Sequence, residues 1–230
     1  TPDDNAAYVV SVTVTDDDAG SNSYTHNLTV ANVPPVPTIA GNTEADEGDT
    51  VSLTSSVTDA GSADTFTYAW SVQKDGQAYD LTGVTVDQST FDFVPTDEGE
   101  YVVTLTVTDD DGGVGTDTHT ITVANVDPAA SITGAPVGNV NEGTPITLGS
   151  TASDAGATDV LHYAWSVTRD GSPFDLTGIT VDADNLTFTP TDNGTYVVTL
   201  IVSDEDGGST TVATAAIRSE EHTSELQSHH

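Results

Sequence analysis

A 19-residue stretch, PTDEGEYVVTLTVTDDDGG at residues 95–113, returns as PTDNGTYVVTLIVSDEDGG at 190–208 and, more loosely, as PDDNAAYVVSVTVTDDDAG at 2–20. YAWSV at residue 68 likewise returns at residue 163, followed in one copy by KDG, in the other by RDG, and in both by LTG. A period of 95 residues is the size of one small domain and far too long for a solenoid turn. The chain must therefore fold as copies of one unit. The Pro-bearing segments ANVPPVPTI (31–39) and ANVDPAASI (124–132) mark the junctions. Complete units are expected at 36–126 and 129–217, and residues 1–33 match only the last two strands of a unit. An isolated hairpin is marginal in water, so the 1–33 piece is expected to be poorly packed unless something covers it.

Within a unit, Tyr101, Val103, Leu105 and Val107 alternate with Val102, Thr104, Thr106 and Thr108, the period of a half-buried antiparallel strand. Comparable runs at 51–57, 65–73, 84–86, 90–94 and 115–124 are separated by Gly, Asp and Pro. About seven short strands in such a unit predict an all-β β-sandwich. The chain lacks Cys, so packing rather than disulfides must close the core.

Two details make the sandwich immunoglobulin-like. Trp70 and Trp165, the only tryptophans, stand where such domains place a core Trp on the third strand. DEGEY (97–101) and DNGTY (192–196) have the form of a tyrosine corner, with Val103 and Val198 where antibody domains carry Cys. Tyr68 and Trp70 before KDG, then Pro95, Asp97, Gly99 and Tyr101, then VTLTVTDDDGG, with their equivalents in the next unit, resemble the PKD family of bacterial and archaeal extracellular modules. The resemblance departs at YAWSVQKDG, where the family usually reads W-x-F-G-D-G. It implies tandem immunoglobulin-like β-sandwiches strung as beads on a string, in surface proteins, adhesins and accessory modules of secreted hydrolases, without catalysis.

The chain carries 37 acidic and 3 basic side chains, for a formal charge of −34. Lys74, Arg169 and Arg218 cannot supply the basic footprint that a phosphate backbone needs, so nucleic acid is excluded as a default partner and cations are favoured. In this topology the loop between the second and third strands and the loop between the sixth and seventh share the pole where the chain enters. They would gather Asp59, Asp64, Asp109, Asp110 and Asp111 with Asn32 from the linker. The next unit offers Asp154, Asp159, Asp204, Glu205 and Asp206 with Asn125 and Asp127. Hard oxygen donors from three segments suit Ca²⁺, which takes six to eight of them. The candidate ligands are Asn32, Asp59, Asp64, Asp109 and Asp111, then Asn125, Asp154, Asp159, Asp204 and Asp206. Some PKD relatives bind calcium near this position. The competing reading is a solvated turn, because Asp and Gly are ordinary hairpin-loop residues. GGVGTD (112–117) matches one calcium β-roll repeat, but that motif works in tandem stacks and occurs once here.

Other residues read as structural. His26, His119 and His162 are expected to be partly buried and to bind no ligand, since no nucleophile or acid recurs beside them. Tyr79 and Phe174 are the sole candidates for a sugar-stacking aromatic row, and core packing explains them equally well. RSEEHTSELQSHH (218–230) departs from the repeat and resembles a translated sequencing adapter, so His222, His229 and His230 are not taken as a metal cluster. The expectation is a non-catalytic spacer of a large bacterial or archaeal secreted or cell-surface protein. It would be adhesin-like and stiffened by calcium at domain junctions, with neighbouring repeats as partners. A surface glycan or protein ligand, as for an accessory module of a secreted hydrolase, is the alternative. No segment approaches the roughly 18 apolar residues of a membrane span.

Overall fold

The computed structural model of the chain describes residues 2–221, so His222, His229 and His230 lie outside the described residues. Every regular element among them is a strand, and no helix is long and apolar enough to cross a membrane. Two compact units are present, one of Thr1–Ala45, Asp49–Pro95 and Gly99–Val123, the other of Asp46–Gly48, Thr96–Glu98 and Ala124–His230.

The chain opens with a hairpin of β1 (Ala6–Thr15) and β2 (Ser21–Val30). The first sandwich then runs β3 (Val36–Ala40), β4 (Glu44–Asp46), β5 (Val51–Thr58), β6 (Phe66–Lys74), β7 (Gln77–Ala78), β8 (Thr90–Phe93), β9 (Gly99–Asp109) and β10 (Val114–Ala124). Its sheets have the orders β3-β5-β8 and β4-β10-β9-β6-β7. The second sandwich repeats this with β11 (Ala129–Thr133), β12 (Val140–Asn141), β13 (Ile146–Ser153), β14 (His162–Arg169), β15 (Ser172–Pro173), β16 (Asn185–Phe188), β17 (Gly194–Ser203), β18 (Ser209–Ala213) and β19 (Ile217–Glu220). There the orders are β11-β13-β16 and β12-β19-β17-β14-β15, with β18 also on β17.

Alternation places the cores. Tyr101, Val103, Leu105 and Val107 point inward from β9, and Tyr196, Val198, Leu200 and Val202 do the same from β17, all fully buried. Trp70 stacks on Phe91 at 5.2 Å. Both indoles satisfy their one donor, Trp70 Nε1 on the Gln88 carbonyl and Trp165 Nε1 on the Ala183 carbonyl, each at 2.8 Å. The tyrosine corner closes as expected where Tyr196 Oη donates to the Asp192 carbonyl at 2.9 Å, and Tyr8 Oη does the same to Asp4 at 2.8 Å.

Several expectations need correction. Residues 84–86 form no strand: Val84 N–H donates to Leu81 in a turn, and Val86 contributes only a carbonyl to Trp70 N–H. The short strands β4, β7, β12 and β15 carry too few residues to show a period. His119 is half-buried and bonds the Asn42 carbonyl at 2.9 Å, but His26 and His162 are exposed, contrary to expectation. The hairpin, by contrast, is as poorly packed as expected: the faces that would be core are exposed, with Val10, Val12 and Val14 more than half accessible.

The last strand of the second sandwich runs past residue 217. Thr199 pairs with Ala213, yet Tyr196 pairs with Ile217, three residues back on β17 against four forward on its partner. One extra residue is absorbed at Thr214–Ala216, where Thr214 N–H donates to the Val198 carbonyl and Val198 N–H donates to Thr214 Oγ1. This β-bulge restores register, so Ile217 faces Tyr196 as Ile121 faces Tyr101. Arg218, Ser219 and Glu220, expected to lie beyond the repeat, complete the sheet.

Candidate functional site

The turn DDDGG is built by its first aspartate. Asp109 Oδ1 accepts the N–H groups of Asp111 (3.1 Å) and Gly113 (2.7 Å), an Asx turn that closes the loop between β9 and β10. Asp204 repeats this with Asp206 (2.9 Å) and Gly208 (2.8 Å). The glycines differ in purpose. Gly112 and Gly207 take φ of 87° and 101°, which favour glycine. Gly113 and Gly208 leave room: a Cβ on Gly113 would strike the Asp109 carboxylate and the Asn32 amide, and one on Gly208 the Asp204 carboxylate and the Asn125 amide.

These loops gather the expected acids. Carboxylate oxygens of Asp59, Asp64 and Asp109 lie within 4.8 Å of one another, and those of Asp154, Asp159 and Asp204 repeat the arrangement in the other compact unit. Asn32 and Asn125 join as donors rather than with their carbonyl oxygens, Asn32 Nδ2 to Asp109 Oδ2 at 2.9 Å and Asn125 Nδ2 to Asp204 Oδ2 at 3.1 Å. Asp111 adjoins Asp64 and Asp4 instead of the full trio, and Asp206 adjoins Asp97 and Glu98. The middle acid of each turn serves elsewhere, since Asp110 accepts Thr65 N–H at 2.8 Å and Glu205 accepts Val160 N–H. Asp127 accepts Ser209 N–H at 3.0 Å.

The electrostatics separate two kinds of acid. The Asn32 amide, aided by the N–H groups of Gly113, Asp111 and Gly112, holds Asp109 below the usual carboxylate range despite burial. Burial pushes Asp204 up, but the Asn125 amide and the N–H groups of Gly208, Asp206 and Gly207 bring it below that range. Asp64 and Asp159 move the other way. Burial first, then Asp59, Asp4, Asp109 and Asp110, raises Asp64. Burial, then Glu47, Asp154, Asp97 and Asp206, raises Asp159 to about 6.

Asp59 Oδ2, Asp154 Oδ2 and both oxygens of Asp159 are buried without a hydrogen-bond partner. Buried polar atoms normally find partners, so one such orphan in the first acidic group and three in the second fit ligands supplied from outside. Oxygens only, carboxylates in the majority, and spacings under 5 Å match Ca²⁺.

Sequence reasoning missed Glu47, Asp97, Glu98 and Asp4. Glu47, Asp97 and Asp159 form one further group, and Asp97, Glu98 and Asp206 another. Burial, then the neighbouring Asp97, raises Glu98 to about 7. The acidic runs ADEGD (45–49) and TDEGE (96–100) were the available signal, hidden because the second also spells the tyrosine corner. Tyr79 packs edge-on against Tyr101 at 5.3 Å and Phe174 against Tyr196 at 5.4 Å, which assigns both to the core and removes the aromatic row.

The two-sheet sandwiches, Trp-centred cores and tyrosine corners define tandem immunoglobulin-like domains. A sequence profile described as PKD domain matches residues 32–123 and 125–219, and the chain belongs to that family. Similar solved structures include an amphioxus IgVJ-C2 molecule, 17% identical over 76% of this chain and 98% of that one, TM-score 0.37. Others are the fibronectin(III)-like modules of CbhA from Clostridium thermocellum (15%, 85% and 98%, TM-score 0.32) and three N-terminal domains of the bacteriophage RB49 highly immunogenic outer capsid protein (16%, 96% and 80%, TM-score 0.31). No curated protein matches the chain.

Proposed function

We propose that this chain is a non-catalytic spacer within a larger secreted or cell-surface protein, adhesin-like in its organisation, whose repeats take up calcium at their acidic loops. PKD domains are usually found in extracellular proteins, where millimolar calcium suits sites of modest affinity. The observation that carries the reading is repetition: Asp59, Asp64 and Asp109 in one unit and Asp154, Asp159 and Asp204 in the other converge within the same 4.8 Å, leaving one buried carboxylate oxygen unpartnered in the first trio and three in the second.

The turn itself needs no ion, because Asp109 and Asp204 are satisfied by their own loops. Calcium acts instead on the acids that the turns leave unsatisfied. Neutralising them favours the folded, ion-bound chain by mass action and limits movement of the loops and linkers that supply ligands. Thermal unfolding and small-angle scattering with calcium and with chelator test this. A higher melting temperature and a smaller spread of interdomain distances with calcium are expected. Identical melting and scattering in the two conditions would refute it.

A further inference from the structure

Beside Asp154, Asp159 and Asp204, and in the same compact unit, lies a buried carboxylate that the acidic turns do not use. Glu47 is 1% exposed. Its Oε1 accepts Val126 N–H at 2.8 Å and its own N–H donates to the Ala124 carbonyl at 3.0 Å, so backbone and carboxylate are both pinned to segment 124–126. The side chain cannot swing out to water. Oε2, the other oxygen, has no hydrogen-bond partner and belongs with oxygens of Asp97 and Asp159 to a group spanning at most 4.8 Å.

Glu47 Oε2 and both Asp159 oxygens lack a hydrogen-bond donor, and three carboxylates this close repel one another, a repulsion that a cation between them removes. Oxygens 2.3–2.6 Å from one Ca²⁺ stand about 3–5 Å apart, and those of Glu47, Asp97 and Asp159 lie within 4.8 Å of one another. Burial, then Asp154, Asp97 and Asp204, also pushes the Glu47 carboxyl up, as expected of a carboxylate held without its counter-charge.

We infer that Glu47, Asp97 and Asp159 hold a second divalent cation of the calcium class, with Asp159 shared between it and the ion at Asp154 and Asp204. The inference rests on the reading that the Asp154 trio takes calcium, and it adds one ion and two ligands that the repeat motif does not reveal.

The test counts calcium on the full chain by equilibrium dialysis and elemental analysis, for the parent, Glu47→Gln, Asp154→Asn and the double variant. Glu47→Gln keeps the acceptor for Val126 N–H and is expected to lose one equivalent; Asp154→Asn is expected to lose one, and the double variant two. Melting in chelator shows whether Glu47→Gln folds, and it is expected to match or exceed the parent because an unbalanced buried charge is gone. Equal calcium content in parent and Glu47→Gln, with Asp154→Asn losing one, would overturn the second ion while sparing the first. A parent that holds no calcium would overturn both readings.

Discussion

Ser219 occupies a place made for an aliphatic side chain. It pairs with Gly194 as Val123 pairs with Gly99, and both lie under 5% exposed in their sandwiches. In the first sandwich the slot is filled by two methyl groups; in the second it holds a hydroxyl whose Oγ is buried without a partner. Leaving such a group unsatisfied costs about 1–3 kcal/mol. Ser219→Ala removes that penalty alone, and Ser219→Val adds apolar contact at roughly 0.8 kcal/mol per buried carbon, less some crowding. We expect the order Val above Ala above Ser, with Ser219→Val about 1–2 kcal/mol more stable than the parent. For a domain of this size that raises the melting temperature by roughly 5–10 °C. Differential scanning calorimetry, with the second sandwich assigned from its own variants, reads the shift directly. If alanine and valine both melt at or below the parent, the hydroxyl is not orphaned and the register argument fails. If alanine stabilises but valine does not, the slot is smaller than that of Val123.

Tyr196→Phe removes the corner bond to Asp192 while keeping the ring packed, and is expected to cost about 1 kcal/mol in chemical denaturation. Gly208→Ala forces a Cβ against Asp204 and Asn125 and is expected to cost about 1–3 kcal/mol and to weaken calcium uptake; Gly171→Ala, where a Cβ meets nothing but φ is 79°, should lower stability without altering uptake. In metal-free protein, Asp159 at about 6 and Glu98 at about 7 bind protons in the folded state above the pH at which their unfolded counterparts, near 3.8 and 4.5, do so. Stability should therefore rise as pH falls from 8 through 7 and 6 towards 4.5, and calcium should flatten that slope.

What the sequence disclosed and what it hid follow from the range of the interactions. Trp70, Tyr101 and the alternating residues of β9 are local signals whose meaning depends on period and spacing, so the sandwich was legible. Asp59, Asp64 and Asp109 were legible too, because a known loop order brings them together. Glu47 and Asp97 were not, since nothing in ADEGD or TDEGE says that their carboxylates meet Asp159. That Asn32 and Asn125 would each turn Nδ2 to an aspartate was not legible, because which end of an amide faces a carboxylate depends on the charge around it. The bulge at Thr214–Ala216 hid the final strand, since one added residue breaks the 95-residue period just where Ile217 should be recognised.

That same bulge bears on folding. Adjacent repeats so alike in sequence invite exchange of their last strands, a characteristic failure of repeat proteins. Without the bulge at Thr214–Ala216 the last strand of the second sandwich runs one position out of step with β17 beyond Thr214. A one-residue slip sends Ile217 to solvent and Arg218 to the core. The last strand of the second sandwich thus seats Ile217 in its core only once one irregular turn has formed, a condition that β10, paired with β9 without interruption, does not carry.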